Sequence, residues 1–176
     1  MSIPVPAASA PLALMLALLA ACTPTLDWRE VRPTGSKLVA LFPCKPERVT
    51  RALPLAGAEV QFELLACSAD GSTWALSSAD LGDPGRVAAA LDELRRVRVL
   101  NLDGRETASA PFVLRGATPH PGALRFEVTG RRPDGTAVGE TSVVFAQGTR
   151  VFHAAVLGAA PAAAVQNFID GLKLPG

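Results

Sequence analysis

Three cysteines and two histidines are the side chains through which this sequence could do chemistry. Cys44 lies in "LFPCKP" and Cys67 in "ELLACSADG", and no cysteine belongs to a C-x-x-C pair. The histidines stand far from each other, His120 in "TPHPG" and His153 in "VFHAAV". No zinc or thioredoxin-like spacing results. In an oxidising compartment Cys44 and Cys67 are expected to pair. The disulfide would close a loop of about twenty residues, worth roughly 3 kcal/mol through chain entropy. Two buried free thiols are the competing reading.

Catalytic signatures are missing. The sequence has no G-x-S-x-G elbow, no H-E-x-x-H, no G-x-x-x-x-G-K-[ST], and no G-x-G-x-x-G opening a helix. His120, in a Pro/Gly-rich loop, reads as an exposed histidine. His153 alternates with Val151 and Ala155, so it reads as a satisfied core or surface residue on a strand. Asp80, Asp83, Glu93 and Asp103 surround one predicted helix, where capping and solubility account for them without a cation. These patterns point away from an enzyme, and they imply no cofactor and no metal.

Cys22 has a different context. Residues 1–21 contain no charged side chain, and "PLALMLALLAA" has the length of a signal-peptide apolar region rather than of a membrane-spanning helix. The preceding "MSIPVPAASA" carries no Lys or Arg. The segment Leu19-Ala20-Ala21-Cys22 resembles the bacterial lipobox, in which the cysteine sulfur receives diacylglycerol before cleavage. That resemblance implies a signal peptide over 1–21 and a lipidated tether over 22–34. Acyl methylenes contribute ~0.8 kcal/mol each on burial, so a multiply acylated Cys22 would hold the chain at a membrane durably. Thr23 stands where, by resemblance to the known sorting rule, Asp would retain a lipoprotein at the inner membrane. The implied address is the bacterial envelope, facing the periplasm, on the outer membrane more than the inner.

Composition narrows the partners. The 176 residues carry a net charge of +1, and aromatic residues make up 5% with no Tyr. Neither a basic field nor stacking platforms are available for nucleic acid. The expected partners are the membrane, through lipidated Cys22, and an envelope protein.

The remaining chain, 35–176, reads as one domain. Strands are predicted over Lys37–Phe42, Glu47–Leu55, the alternating stretch around Val60, Phe62, Leu64 and Ala66, and Ser72–Asp80. Asp83 and Pro84 open a helix whose apolar face is Val87, Leu91, Leu94 and Val97, with Arg86, Arg95, Arg96 and Arg98 largely off it as a solvated surface. Strands follow at Pro111–Arg115, around Leu124, Phe126 and Val128, at Thr136–Ala146 and at Arg150–Leu157. A last helix from Pro161 spaces Val165, Phe168, Ile169 and Leu172 at i, i+3, i+4 and i+7. The expected fold class is α+β: a mostly antiparallel sheet with two helices covering one face.

"LFPCKP" near the start, a helix after "ADLGDP" and a closing "NFIDGLKL" resemble bacterial envelope proteins of the PsbP-like fold, an α/β/α sandwich. "DWREVR" with "FPCKP" also resembles an uncharacterised family of proteobacterial lipoproteins. Cys44 replaces the glycine of the commoner "FPGKP". A fold alone assigns no task. Two functions follow as expectations: non-catalytic partner binding or assembly at the envelope, or a small-molecule or ion-binding module in the periplasm.

Overall fold

The computed structural model describes residues 26–175. Nine strands and two helices follow in the order β1 (Arg29–Val31), β2 (Ala40–Phe42), β3 (Glu47–Leu55), β4 (Ala58–Ala69), β5 (Ser72–Asp80), α1 (Val87–Asn101), β6 (Arg105–Pro111), β7 (Leu124–Arg131), β8 (Ala137–Gln147), β9 (Arg150–Leu157) and α2 (Ala162–Asp170). The fold is α+β. Strands β3 to β9 form one antiparallel sheet in the order β3-β4-β5-β9-β8-β7-β6, and β1 pairs with β2 separately.

Burial explains the strand sequences. β8 and β9 lie at the middle of the sheet with both faces covered, and "SVVFA" and "VFHAAV" are accordingly almost continuous apolar runs. β3 is an edge strand with eight of its nine residues exposed, and Arg48, Arg51 and Pro54 blunt that edge against further pairing. The turns Ala56-Gly57 and Asp70-Gly71 place both central residues at positive φ, the geometry that matches the twist of two-residue hairpins.

The helices lie on opposite faces rather than both covering one. α2 packs Val165, Phe168 and Ile169 with Leu38, Phe42, Trp74, Phe145 and Phe152. Trp74 and Phe42 both meet the Phe168 ring edge-on, at centroid distances of 5.4 and 5.3 Å. On the other face α1 packs Val87, Ala90, Leu91 and Leu94 with Phe126, Val128, Val144 and Val151. Alternation along β8, Val143 and Phe145 one way and Val144 and Ala146 the other, feeds the two cores. Gly171 ends α2 for a packing reason: a Cβ there would lie 2.4 Å from Cβ of Leu41.

Two further expectations are corrected. The stretch 22–34 is not all tether, because β1 pairs with β2 from Arg29↔Phe42 to Val31↔Ala40, and Trp28 meets Trp74 edge-on at 6.0 Å. The folded unit therefore starts before residue 35. The sixth strand is Arg105–Pro111 rather than Pro111–Arg115. β6 is an exposed edge of small and polar residues with no hydrophobic signal, whereas Phe112 and Leu114 are apolar because their loop packs on the α2-side core.

A candidate ligand groove beneath the first helix

α1 covers only part of its face. It rests mainly on β7, β8 and β9, so a gap opens between the helix and β3, β4 and β5. The gap is a groove of about 410 Å³. Its floor is low because Ala66, Ala75, Ser77 and Ala155 bring small side chains together from β4, β5 and β9. Leu53 and Leu55 of β3 form one wall, and Leu94 and Val97 of α1 the other. Four apolar side chains around it, Val49, Leu53, Leu64 and Val97, keep 38 to 43% of their surface exposed.

Polar groups converge at one place in this apolar setting. Arg98, Glu140 and His153 all line the groove. The Arg98 Nε donates to Glu140 Oε1 at 2.8 Å, and its Nη2 pairs with Oε2. The Ser142 hydroxyl donates to Glu140 Oε1 at 2.7 Å and lies 3.0 Å from His153 Nε2. Glu140, Ser142 and His153 are all buried. Sheet register assembles them: Glu140 and Ser142 are two apart on β8 and share a face, and β9 places His153 across from Val144, the next residue on that face.

Burial pushes the Glu140 carboxyl up, but hydrogen bonds and charge from Arg98, with the Ser142 hydroxyl, outweigh it and hold its pKa below the ordinary glutamate value. For His153, burial and then the Arg98 charge push the imidazole down to about 4, against the pull of Glu140. At neutral pH the set is an ion pair, a hydroxyl and a neutral imidazole.

A serine, a histidine and a carboxylate in contact invite comparison with a hydrolytic triad. The order is wrong for one. In a triad the acid orients the histidine, which activates the serine; here Glu140 accepts from Ser142 itself. Ser142 is also fully buried, so no substrate carbonyl reaches its Oγ.

The other candidate residues fall elsewhere. Cys44 and Cys67 form a disulfide with Cα atoms 6.1 Å apart, on the α2 side of the sheet. Cys22 lies outside the described residues. His120 is half-buried in its loop, where Nδ1 accepts from the Gly122 N–H at 2.9 Å. Asp83 accepts from the Gly85 N–H at 2.8 Å, Asp80 accepts from the Thr149 hydroxyl at 2.7 Å, and Glu93 accepts from the Ala56 N–H at 2.8 Å. Among the described residues no cluster of three or more His, Cys, Asp or Glu is placed to hold a metal.

Of the four arginines expected to form a solvated surface, Arg96 is exposed, while Arg86, just before α1, and Arg95 and Arg98 on it are held by partners. Arg86 donates to the carbonyls of Leu55, Ala56 and Leu81, Arg95 grips Glu106 through two bonds of 2.6 Å, and Arg98 holds Glu140. The buried stripe of α1 is Val87, Ala90, Leu91 and Leu94. Half-buried Arg98 continues that row one turn further, and both it and Val97 line the groove. That spacing, with a glutamate entering a doubly covered strand at Glu140, is the signal from which the pair could have been found.

The chain matches no protein-family model, and no curated protein matches it.

Proposed function

We propose that this chain is a non-enzymatic envelope lipoprotein, anchored by acylated Cys22 and facing the periplasm, whose domain holds an apolar ligand in the groove between α1 and the β3–β5 half of the sheet. One observation carries the ligand reading: the groove is concave and apolar, yet Arg98, Glu140 and His153 of its lining belong to a hydrogen-bonded polar cluster completed by buried Ser142. Ligand sites combine these two properties, apolar walls for affinity and a few placed polar atoms for orientation. An inward-facing ion pair is a poor device for stability alone, because its desolvation cost offsets much of the attraction.

Two measurements test the reading. Organic extracts of protein purified from a Gram-negative envelope should contain a co-purifying apolar molecule by mass spectrometry, and extracts of an Ala75→Leu variant should lack it. An equally empty extract from the unsubstituted protein, with no binding of added alkyl probes, would sink the ligand reading. For the anchor, intact mass should show a chain starting at Cys22 with acyl groups. A Cys22→Ala variant should lose them and leave the membrane fraction.

A second reading, non-catalytic docking of an envelope protein, draws on the exposed Val49, Leu53, Leu64 and Val97 around the same groove. It predicts crosslinks from these positions to a protein rather than a bound small molecule.

A further inference from the structure

The hydrogen positions in the polar set follow from its neighbours. Glu140, held ionised by Arg98, can only accept, so the single Ser142 hydroxyl hydrogen points at Oε1 over 2.7 Å. The Ser142 oxygen is then left to accept from His153 Nε2–H over 3.0 Å. A neutral imidazole with its proton on Nε2 has a bare lone pair on Nδ1.

That lone pair has no partner among the described residues, and it is not sealed off. The buried side-chain oxygens and nitrogens without a partner among the described residues are Ser72 Oγ and Ser78 Oγ. His153 itself lines the groove. The charged side chains of the lining are Glu93, Arg98 and Glu140: two acids against one cation, with that cation already committed to Glu140. An anionic head group would meet an acceptor and a net negative wall.

Resting on the ligand reading above, we propose that the groove selects against anionic amphiphiles and takes a single alkyl chain along the floor of Ala66, Ala75 and Ala155 with a hydrogen-bond donor, a hydroxyl or N–H, seated on Nδ1 of His153. The chain supplies affinity through apolar burial. The donor supplies choice, since a head group lacking a hydrogen leaves Nδ1 unpaired in a desolvated site.

The test compares three probes of one chain length, 1-decanol, decanoate and decylammonium, by isothermal titration calorimetry at pH 7 on the full domain. Decanol should bind about tenfold tighter than decanoate, the discrimination expected of one buried hydrogen bond, and decylammonium, which brings N–H donors to the same acceptor, should not share the penalty of decanoate. Ala75→Leu should abolish binding of all three. His153→Leu should keep decanol affinity within a factor set by the alkyl chain but erase the preference. If that variant does not fold, ¹⁵N NMR of the His153 ring in the unsubstituted protein decides: proton on Nε2 supports the proposal, proton on Nδ1 overturns it. Equal binding of decanol and decanoate would leave the groove standing and sink the donor selection, and so would tighter decanoate. Failure of all three to bind would overturn the ligand reading and the selection with it.

Discussion

The Arg98 guanidinium reaches from the last turn of α1 to both carboxylate oxygens of Glu140 on β8, tying the helix to the centre of the sheet. Glu140 is 3% exposed, so this arginine is what keeps a charge there tolerable. Replacing Arg98 by Met should cost about 3–5 kcal/mol, read as a lowered urea midpoint, because the carboxylate is left buried and uncompensated. Adding Glu140→Met to that variant should recover most of the loss. Additive losses in the double variant would contradict this account of the pair.

Acid should destabilise the fold before the surface carboxylates protonate. The His153 imidazole has its pKa at about 4 in the folded chain, below its ordinary 6.5. Between these values the unfolded chain binds the proton and the folded chain does not, so stability falls as pH drops through the window, by on the order of 3 kcal/mol in all. Glu140 adds loss of the same sign at lower pH, its folded pKa being below the ordinary glutamate value. Thermal midpoints measured from pH 7 to 4 should decline, and a folded His153→Phe variant should show a flatter profile between pH 6.5 and 4.

The Cys44–Cys67 disulfide joins residues 23 apart and ties the turn after β2 to the far end of β4. Reducing it, or replacing both cysteines by Ser, should lower stability by about 3 kcal/mol. Loosening should centre on the β1–β2 layer, where Trp28 leans on Trp74. Near-UV circular dichroism should therefore lose tryptophan fine structure while far-UV signal stays. An unchanged urea midpoint with and without reductant would argue against a stabilising bridge.

Ala75 offers a direct handle on the groove. Its side chain is half-buried and lines the cavity floor, so the added methylenes of Ala75→Leu enter empty volume rather than a packed core. The thermal midpoint should hold or rise slightly while alkyl-probe affinity falls at least about tenfold. A folding loss would show that the space is not free to receive a side chain.

Local signals in the sequence were strong where one face of an element is buried and the other wet. β4 alternates visibly, α1 and α2 announce themselves by period, and Asp83 caps the short turn that leads into α1. The two cysteines expected to pair do so. What was illegible depends on contacts between distant segments. β1 and β6 are short or polar strands whose existence rests on their partners, β2 and β7, rather than on their own pattern. Arg98 and Glu140 are 42 residues apart, and a charge on a helix reads as solvated until the strand beneath supplies its counter-charge. Which face each helix covers is equally non-local: helix period marks a buried stripe, not the side of the sheet that receives it.

The strand order β3-β4-β5-β9-β8-β7-β6 makes the sheet two meanders stitched along a single seam. Every ladder joins strands consecutive in sequence except β5 with β9, where Asp80 meets Arg150, 70 residues away. α1 leaves the first meander and lies down on the second, so it straps the same seam. Each meander can zip up from its own hairpins, and the large loop-closure cost falls on their union, which places the joining late in folding. The groove straddles that join, with β4 and β5 on one side and β9 and α1 on the other. The lining of the groove is therefore complete only once both halves have met.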